Sequence, residues 1–370
     1  MRVLLLSASL NPHTIKWVRS LAASGVEVCL FGLNACPPDT YADYPNVKLI
    51  SLGIDTQIIR TKHGSYQKLR YLQALPMLKQ AIKDFKPDIV HAHFATSYGL
   101  LGALSGFHPL VLSVWGGDVF DFPNASCLHR WLLKFNLRRA DKILSTSHVM
   151  AEETWKYTSK PIEITPFGID LTVFKAMPVT SLFAPQAIVI GTVKALEEMY
   201  GIEYLIRAFH LVRTRYPQLP LNLLIVGGGS LEQSLKALAH ELALDDCVIF
   251  TGRVPYDDVP KYHNMLSVSV SVSNRESFGV AIIEASACEK PVVVSNVGGL
   301  PEVVEDGVTG IVVAPRDVAA TAAAIERLIL DENLSKTLGR AGRERVQRLY
   351  DWQVNVSHML TIYQELLTRT

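Results

Sequence analysis

The chain has 370 residues, 49% apolar and 19% charged, enough for two hydrophobic cores of ordinary domain size. Thirty-six Lys and Arg stand against 35 Asp and Glu, which argues against a nucleic-acid binder held by phosphate contacts. Cys29, Cys36, Cys127, Cys247 and Cys288 are odd in number, far apart and form no C-x-x-C pair, so neither a disulfide framework nor a zinc site is expected, and a reducing, cytoplasmic setting fits.

The opening MRVLLLSASL has the length of a leader's apolar core, but it reads as a first strand. An amphipathic segment, HTIKWVRSLAASG, and a second strand, VEVCLFGL, follow it at βαβ spacing. The turn LNPHTIKW brings Asn11 and His13 to the strand end, with Pro12 shaping the bend. Residues 56–86 are rich in Lys and Arg with Asp84 as the only acid, a face suited to water or to an anionic lipid or acceptor. DIVHAHF is the next strand, and the period of two puts His91 and His93 on one face at its end. A His pair invites a metal, yet no third ligand at matching spacing and no D-x-D exists, so the expectation is no metal and one His lining a cleft. VWGGDVF ends another strand with Gly116, Gly117 and Asp118, where Asp118 would accept sugar hydroxyls or cap the turn. CLHRWLLKFNLRR mixes Trp131 and Phe135 with Arg130, Lys134, Arg138 and Arg139, as interfacial helices do. Leu128, Trp131, Leu132 and Phe135 nevertheless keep core spacing, and a buried stripe is the expectation. KILSTS and ITPFGID close this series, and no apolar stretch could span a bilayer without Pro, Gly or charge.

Residues 171–186, LTVFKAMPVTSLFAPQ, hold two prolines and no period and read as a linker. The pattern then restarts: strands AIVIGTV, LNLLIVGGG, CVIFTG, VSVSVSN, PVVVSNVGG and TGIVVAP, with helices such as IEYLIRAFHLVRTRY and SLEQSLKALAHEL between them. Continuous apolar strands alternating with helices imply parallel sheets covered on both faces. The expected class is α/β, with doubly wound halves at 1–170 and 187–351 facing across a cleft and ligands beyond the carboxyl ends of the strands. A final amphipathic helix at 352–370 is expected to pack back on the first half.

Chemistry concentrates at the strand ends of the second half. Gly227 and Gly228, Gly298 and Gly299, and Gly252 with Arg253 each follow a strand, and glycines there let backbone approach a ligand. Lys194 follows the first strand, where a cation would meet a diphosphate. In NRESFGVAIIEASACEKP a strand leads through a turn holding Glu276, Ser277 and Phe278 to a helix starting near Gly279, whose N-terminal amides attract anions. Glu284 lies within an apolar run, where an unpaired carboxylate is costly. Either it marks a solvated stripe with Ser286 while Glu276 caps the helix, or both carboxylates reach one pocket.

ESFGVAIIEASACEKPVVVSNVGGLPEVVEDGVTGIVV, with PFGID and TGRVP, resembles the retaining glycosyltransferases of family four and their E-x7-E motif, and the likeness runs along nearly the whole chain. The resemblance implies the GT-B fold and transfer of a sugar from a nucleotide diphosphate sugar to a hydroxyl, with retained anomeric configuration and neither metal nor other cofactor. It implies that Glu284 takes the ribose hydroxyls, that Glu276 contacts the donor sugar, and that the amides of Phe278 and Gly279 beside Ser277 hold sugar and diphosphate. Lys194 resembles the first of two basic residues on the diphosphate, and His93 the His that faces the sugar, with His91 as the alternative. Gly227, Gly228, Arg253, Asn11 and His13 complete the expected donor side, Gly117 and Asp118 the acceptor side. Partners would be the donor and a sugar or lipid-linked acceptor, with peripheral contact at the inner face of a membrane. Two departures stand out: Met199 occupies the place of the second Lys, and NPHT replaces the glycine pair of the first loop. Rival readings are a sugar-nucleotide epimerase on the same double fold and a non-catalytic partner subunit.

Overall fold

The computed structural model describes residues 1–54 and 71–368, so the basic stretch at 56–86 is covered only from Tyr71 onward. The chain divides into two compact units, Met1–Pro166 with Val354–Thr370, and Phe167–Gln353.

In the first unit, strands β1 (Arg2–Leu6), β2 (Glu27–Asn34), β3 (Val47–Ile54), β4 (Ile89–His93), β5 (Leu110–Val114), β6 (Lys142–Ser145) and β7 (Ile162–Ile164) form one sheet. Its order is β3-β2-β1-β4-β5-β6-β7 and every pairing is parallel. Val3 to Leu6 are fully buried, as expected of a central strand with both faces covered. Leu4, Leu6, Phe31, Leu78, Leu101, Leu112 and Leu133 share one core. Edge strand β3 alternates between half-buried and exposed positions instead. The order reverses between β1 and β4, which makes their carboxyl ends the natural ligand crevice of this sheet.

The Trp352–Thr368 helix belongs to this unit from Val354 onward. Val356, Met359 and Tyr363 recur at helical spacing and are buried. Its polar anchors are Asn355 Nδ2 to the Pro166 carbonyl at 2.9 Å and His358 Nε2 with Glu163 at 2.7 Å.

The second unit holds β8 (Ile188–Val193), β9 (Leu221–Val226), β10 (Val248–Gly252), β11 (Val268–Ser271), β12 (Val292–Ser295) and β13 (Ile311–Val313). They pair in parallel in the order β10-β9-β8-β11-β12-β13, so this sheet reverses between β8 and β11.

Two expectations need correction. Residues 171–186 are part of the second unit: Phe174 is 1% exposed and packs against Tyr256 and His263. The Cys127–Arg139 helix does not bury the expected stripe. Leu133, Asn136 and Leu137 face the core, while Leu128 is 53% and Trp131 59% exposed. Two apolar rows run along this helix, and periodicity alone does not say which one meets the sheet.

Candidate functional site

At the reversal of the second sheet, the loop after β8 carries Lys194 and the loop after β11 carries Glu276. Their side chains meet: Lys194 Nζ lies 2.5 Å from Glu276 Oε2, with the two side chains 13% and 8% exposed. The ammonium also sits 4.3 Å above the Tyr200 ring. Burial works against the charge on Lys194, but the carboxylate of Glu276, then Tyr200 and Glu284, outweigh it and raise its pKa above the ordinary lysine value. Lys194 therefore stays a cation at neutral pH.

Glu276 is placed by backbone. The amides of Asn274 and Arg275 donate to the Met199 carbonyl at 2.9 and 3.0 Å, and the Gly299 amide donates to the Glu276 carbonyl at 3.1 Å. The Ser277 amide donates to Glu276 Oε1 at 3.2 Å. Two of the strand-end glycines, Gly298 and Gly227, admit the backbone of neighbouring loops. A Cβ on Gly298, at φ +51°, would fall 1.7 Å from the Glu276 carbonyl oxygen, and one on Gly227, at φ +135°, would fall 2.0 Å from that of Lys194. Gly228 accepts the Leu196 amide at 3.2 Å and packs under Arg253, whose side chain is exposed. The strand-end loops thus lock one another through main-chain contacts that a side chain would break.

The Val280–Ala287 helix begins after Gly279, at φ +107°. Phe278 is buried between Phe167 and Tyr350, so only its main chain is a candidate ligand group. Glu284 is 5% and Ser286 4% exposed, which rules out the solvated stripe. Tyr256 Oη donates to Glu284 Oε1 and His263 Nε2 approaches Oε2, both at 3.3 Å. His263 is fully buried and its Nδ1 has no partner among the described residues, which assigns the proton to Nε2. These two long bonds leave lone pairs on both oxygens of the buried Glu284 side chain. Neither Tyr256 nor His263 carries a sequence signal of its own, although Tyr256 follows the Gly252 turn by four residues.

At the reversal of the first sheet, His93 ends β4. Its Nδ1 lies 3.1 Å from Ser7 Oγ, which in turn meets Thr14 Oγ1 at 2.7 Å. The Trp115 ring lies 4.3 Å from the His93 ring, and His13 stands edge-on to Trp115 at 6.0 Å. His91 is committed on both ring nitrogens, to Tyr363 Oη at 2.6 Å and to Ser113 Oγ at 2.8 Å. Burial pushes the His91 pKa down to about 3, and burial, then His91 and His13, push that of His93 well below the usual value, so both rings are neutral near pH 7.

Two candidates of the first unit have structural work instead. Asp118 is fully buried and accepts the amides of Ala95, Trp115 and Gly116 at 2.8, 3.2 and 2.8 Å. It ties the turn at the start of the Gly117–Phe120 helix, and the sugar-hydroxyl role is withdrawn. Asn11 Oδ1 accepts the His13 amide at 2.9 Å and caps the Pro12–Ala23 helix, so that oxygen is committed to the helix start. Among the described residues no group of three or more His, Cys, Asp or Glu is placed to hold a metal.

Two family models match this chain, Glycosyl transferase 4-like over residues 2–147 and Glycosyl transferases group 1 over residues 175–345. The chain belongs to the family-four glycosyltransferases. Among curated relatives of this glycosyltransferase, N-acetyl-alpha-D-glucosaminyl L-malate synthase of Bacillus anthracis is 26% identical over 292 residues, 76% of this chain and 75% of that protein. Sucrose-phosphate synthase from Thermosynechococcus elongatus has the same fold, with a TM-score of 0.83 at 24% identity over 100% of both chains. So does Anabaena HepE, solved in complex with UDP, with a TM-score of 0.79 at 18% identity over 99% of this chain and 100% of that one. The two doubly wound units of this glycosyltransferase are those of the GT-B fold. Its activity is glycosyl transfer from a nucleotide sugar.

Proposed function

We propose that this glycosyltransferase is metal-independent and retaining, with Lys194, Glu276 and Glu284 as its donor site. The observation that carries this reading is the Lys194–Glu276 pair at the β8/β11 reversal, with the buried Glu284 also favouring the charged form of Lys194. A cation meant for a departing diphosphate must be buried to be strong and paired to remain charged, and Lys194 is both. In the reaction the bond from the anomeric carbon to the diphosphate oxygen breaks. A bond from that carbon to the acceptor oxygen forms on the same face, and the acceptor proton passes to the departing diphosphate. Lys194 and the amides of Phe278 and Gly279 would meet the charge developing on the diphosphate. Glu276 would hold the sugar and Glu284 would accept the ribose hydroxyls. Gly117 lies on the acceptor side of this reading, and the acceptor is a sugar or lipid-linked hydroxyl.

The test is a panel of UDP-, GDP- and ADP-sugars with simple hydroxyl acceptors. Release of nucleoside diphosphate and the anomeric configuration of the product are read in the presence of a chelator. Turnover with retained configuration supports the reading. An inverted product, or activity abolished by the chelator, overturns it, and conversion of the donor alone into its epimer favours the rival enzyme class. Lack of binding to any nucleoside diphosphate by calorimetry would favour a non-catalytic subunit, the reading to which Met199 lends support.

A further inference from the structure

The Cys127–Arg139 helix of the first unit turns an unusual face outward. Leu133 and Leu137 are fully buried, and Asn136 joins them by donating to the Ala95 carbonyl at 2.8 Å. On the other side Leu128 and Trp131 are more than half exposed, and the Phe135 ring stacks on that of Trp131 at 5.7 Å. Arg130, Lys134, Arg138 and Arg139 are all exposed on the same helix, which carries no Asp or Glu. At about 100° per residue, Lys134, Arg138, Trp131, Phe135 and Leu128 fall within one outward arc of about 120°. A further cation closes the helix end, where Lys160 Nζ donates to the carbonyls of Arg138 and Ala140 at 2.6 and 2.5 Å.

The Ser97–Ser105 helix packs against this helix and also against the Leu75–Phe85 helix. The latter repeats the composition: Met77 is 51% exposed among exposed Lys79, Lys83 and Lys86, and its one acid, Asp84, is bonded by Gln80 at 2.7 Å.

We propose that the Cys127–Arg139 helix is a docking surface for an anionic lipid bilayer, with the helix lying flat on it. Leu128, Trp131 and Phe135 enter the headgroup boundary while Arg130, Lys134 and Arg138 meet lipid phosphates. Charge decides the occupant. The whole chain is nearly neutral, 36 basic against 35 acidic residues, so four cations and no anion on one exposed helix are a local arrangement. A second copy meeting this face about a two-fold axis would set those cations against their own images. No helix among the described residues is long and apolar enough to cross a membrane, so the contact is one of surface. The inference rests on the proposed lipid-linked acceptor only for its purpose. Binding is measured without donor or acceptor, so either idea fails alone.

The test is flotation of the full chain with phosphatidylcholine vesicles, plain or with a third of the lipid replaced by phosphatidylglycerol. Binding is expected on the anionic vesicles and not on the plain ones. It should fade as salt rises from about 0.1 M to about 1 M and the screening length falls from about 10 to about 3 Å. Lys134→Glu with Arg138→Glu should weaken it at least about 25-fold, at roughly fivefold per basic residue. Leu128→Ser with Trp131→Ser should also release the protein. The difference in emission between the wild type and Trp131→Phe should shift to the blue on anionic vesicles only. These side chains are exposed, and circular dichroism checks that the fold persists. Equal binding to both vesicle types, no binding, or binding unchanged in both double variants overturns the proposal. So does a dimer that Trp131→Ser dissociates, which would give the face to a second copy.

Discussion

Lys194→Met isolates the ion pair on which the proposed donor site is built. Lys194 and Glu276 meet at 2.5 Å with side chains 13% and 8% exposed, so removing the ammonium strands a nearly buried carboxylate. Breaking such a pair costs about 3–5 kcal/mol. Glu276 keeps the Ser277 amide at 3.2 Å, which favours the lower end of that range. About 3 kcal/mol in a unit of this size lowers the melting temperature by about 6–12 °C. Glu276→Gln on the same background removes the stranded charge. The double variant should therefore be more stable than the two single losses add up to, by about 1 kcal/mol or more. Turnover should not return with stability: with both groups aimed at the donor, as proposed, it should stay about a hundredfold or more below wild type. Calorimetry on the four proteins gives the cycle, and nucleoside diphosphate release gives the turnover. The raised pKa of Lys194 fixes the pH window: its stabilisation is complete below the ordinary 10.5 and is lost as pH rises through the higher folded value. The gap between wild type and Lys194→Met should thus hold at neutral pH and close in strong alkali. Strict additivity in the cycle, or a Lys194→Met variant that melts with the wild type, refutes the reasoning.

Glu284→Gln should weaken nucleoside diphosphate binding about 10- to 100-fold, the scale of a lost charged acceptor at about 1.5–3 kcal/mol, and unchanged affinity by calorimetry would remove the ribose role. Gly298→Ala, with its Cβ 1.7 Å from the Glu276 carbonyl oxygen, should cut turnover strongly although no chemical group is lost, and normal kcat would show that Glu276 need not stay where this loop puts it. Burial holds the His91 pKa down at about 3, so the unfolded chain takes up this proton first and stability falls with pH below about 6.5, by up to about 1.4 kcal/mol per unit. His91→Gln should reduce that slope between pH 6.5 and 5 and leave the share of the likewise depressed His93, and an unchanged slope would contradict a buried neutral ring at His91. Arg253→Ala should lower donor affinity and its salt dependence if Arg253 supplies the charge that Met199 lacks; salt dependence equal to wild type would remove Arg253 from the diphosphate.

The double α/β plan was legible because buried parallel strands are apolar throughout, and β1, β4, β8 and β9 stand out as such runs. Edge strand β3 was not read as a strand, since VKLISLGI is only half-buried and mixes Lys and Ser with its apolar residues. The site was legible where chemistry needs a special residue in a special place. Glu284 inside an apolar run pointed to a buried acceptor, and burial at 5% follows. The partners were not legible, because hydrogen-bond geometry is set by packing. Nothing in VPYDDVPKYHNM says that Tyr256 and His263 converge on Glu284. Asp118 misled for the same reason: a carboxylate in a glycine turn reads alike whether it faces a ligand or the turn's own amides.

Met199 shows how far a departure from the family pattern reaches into the structure. Its carbonyl takes the amides of Asn274 and Arg275 and so ties the β8 loop to the loop bearing Glu276. Any residue other than glycine would serve that main-chain role with little change, so replacing a lysine there removes charge while leaving the scaffold intact. The remaining cation is not idle in this state, because Lys194 already balances Glu276 beneath the Tyr200 ring. A diphosphate entering here must compete with that carboxylate for a single ammonium. On the proposed reading, the main-chain amides at the Gly279 turn and the buried Glu284 would share the hold on the donor with that ammonium.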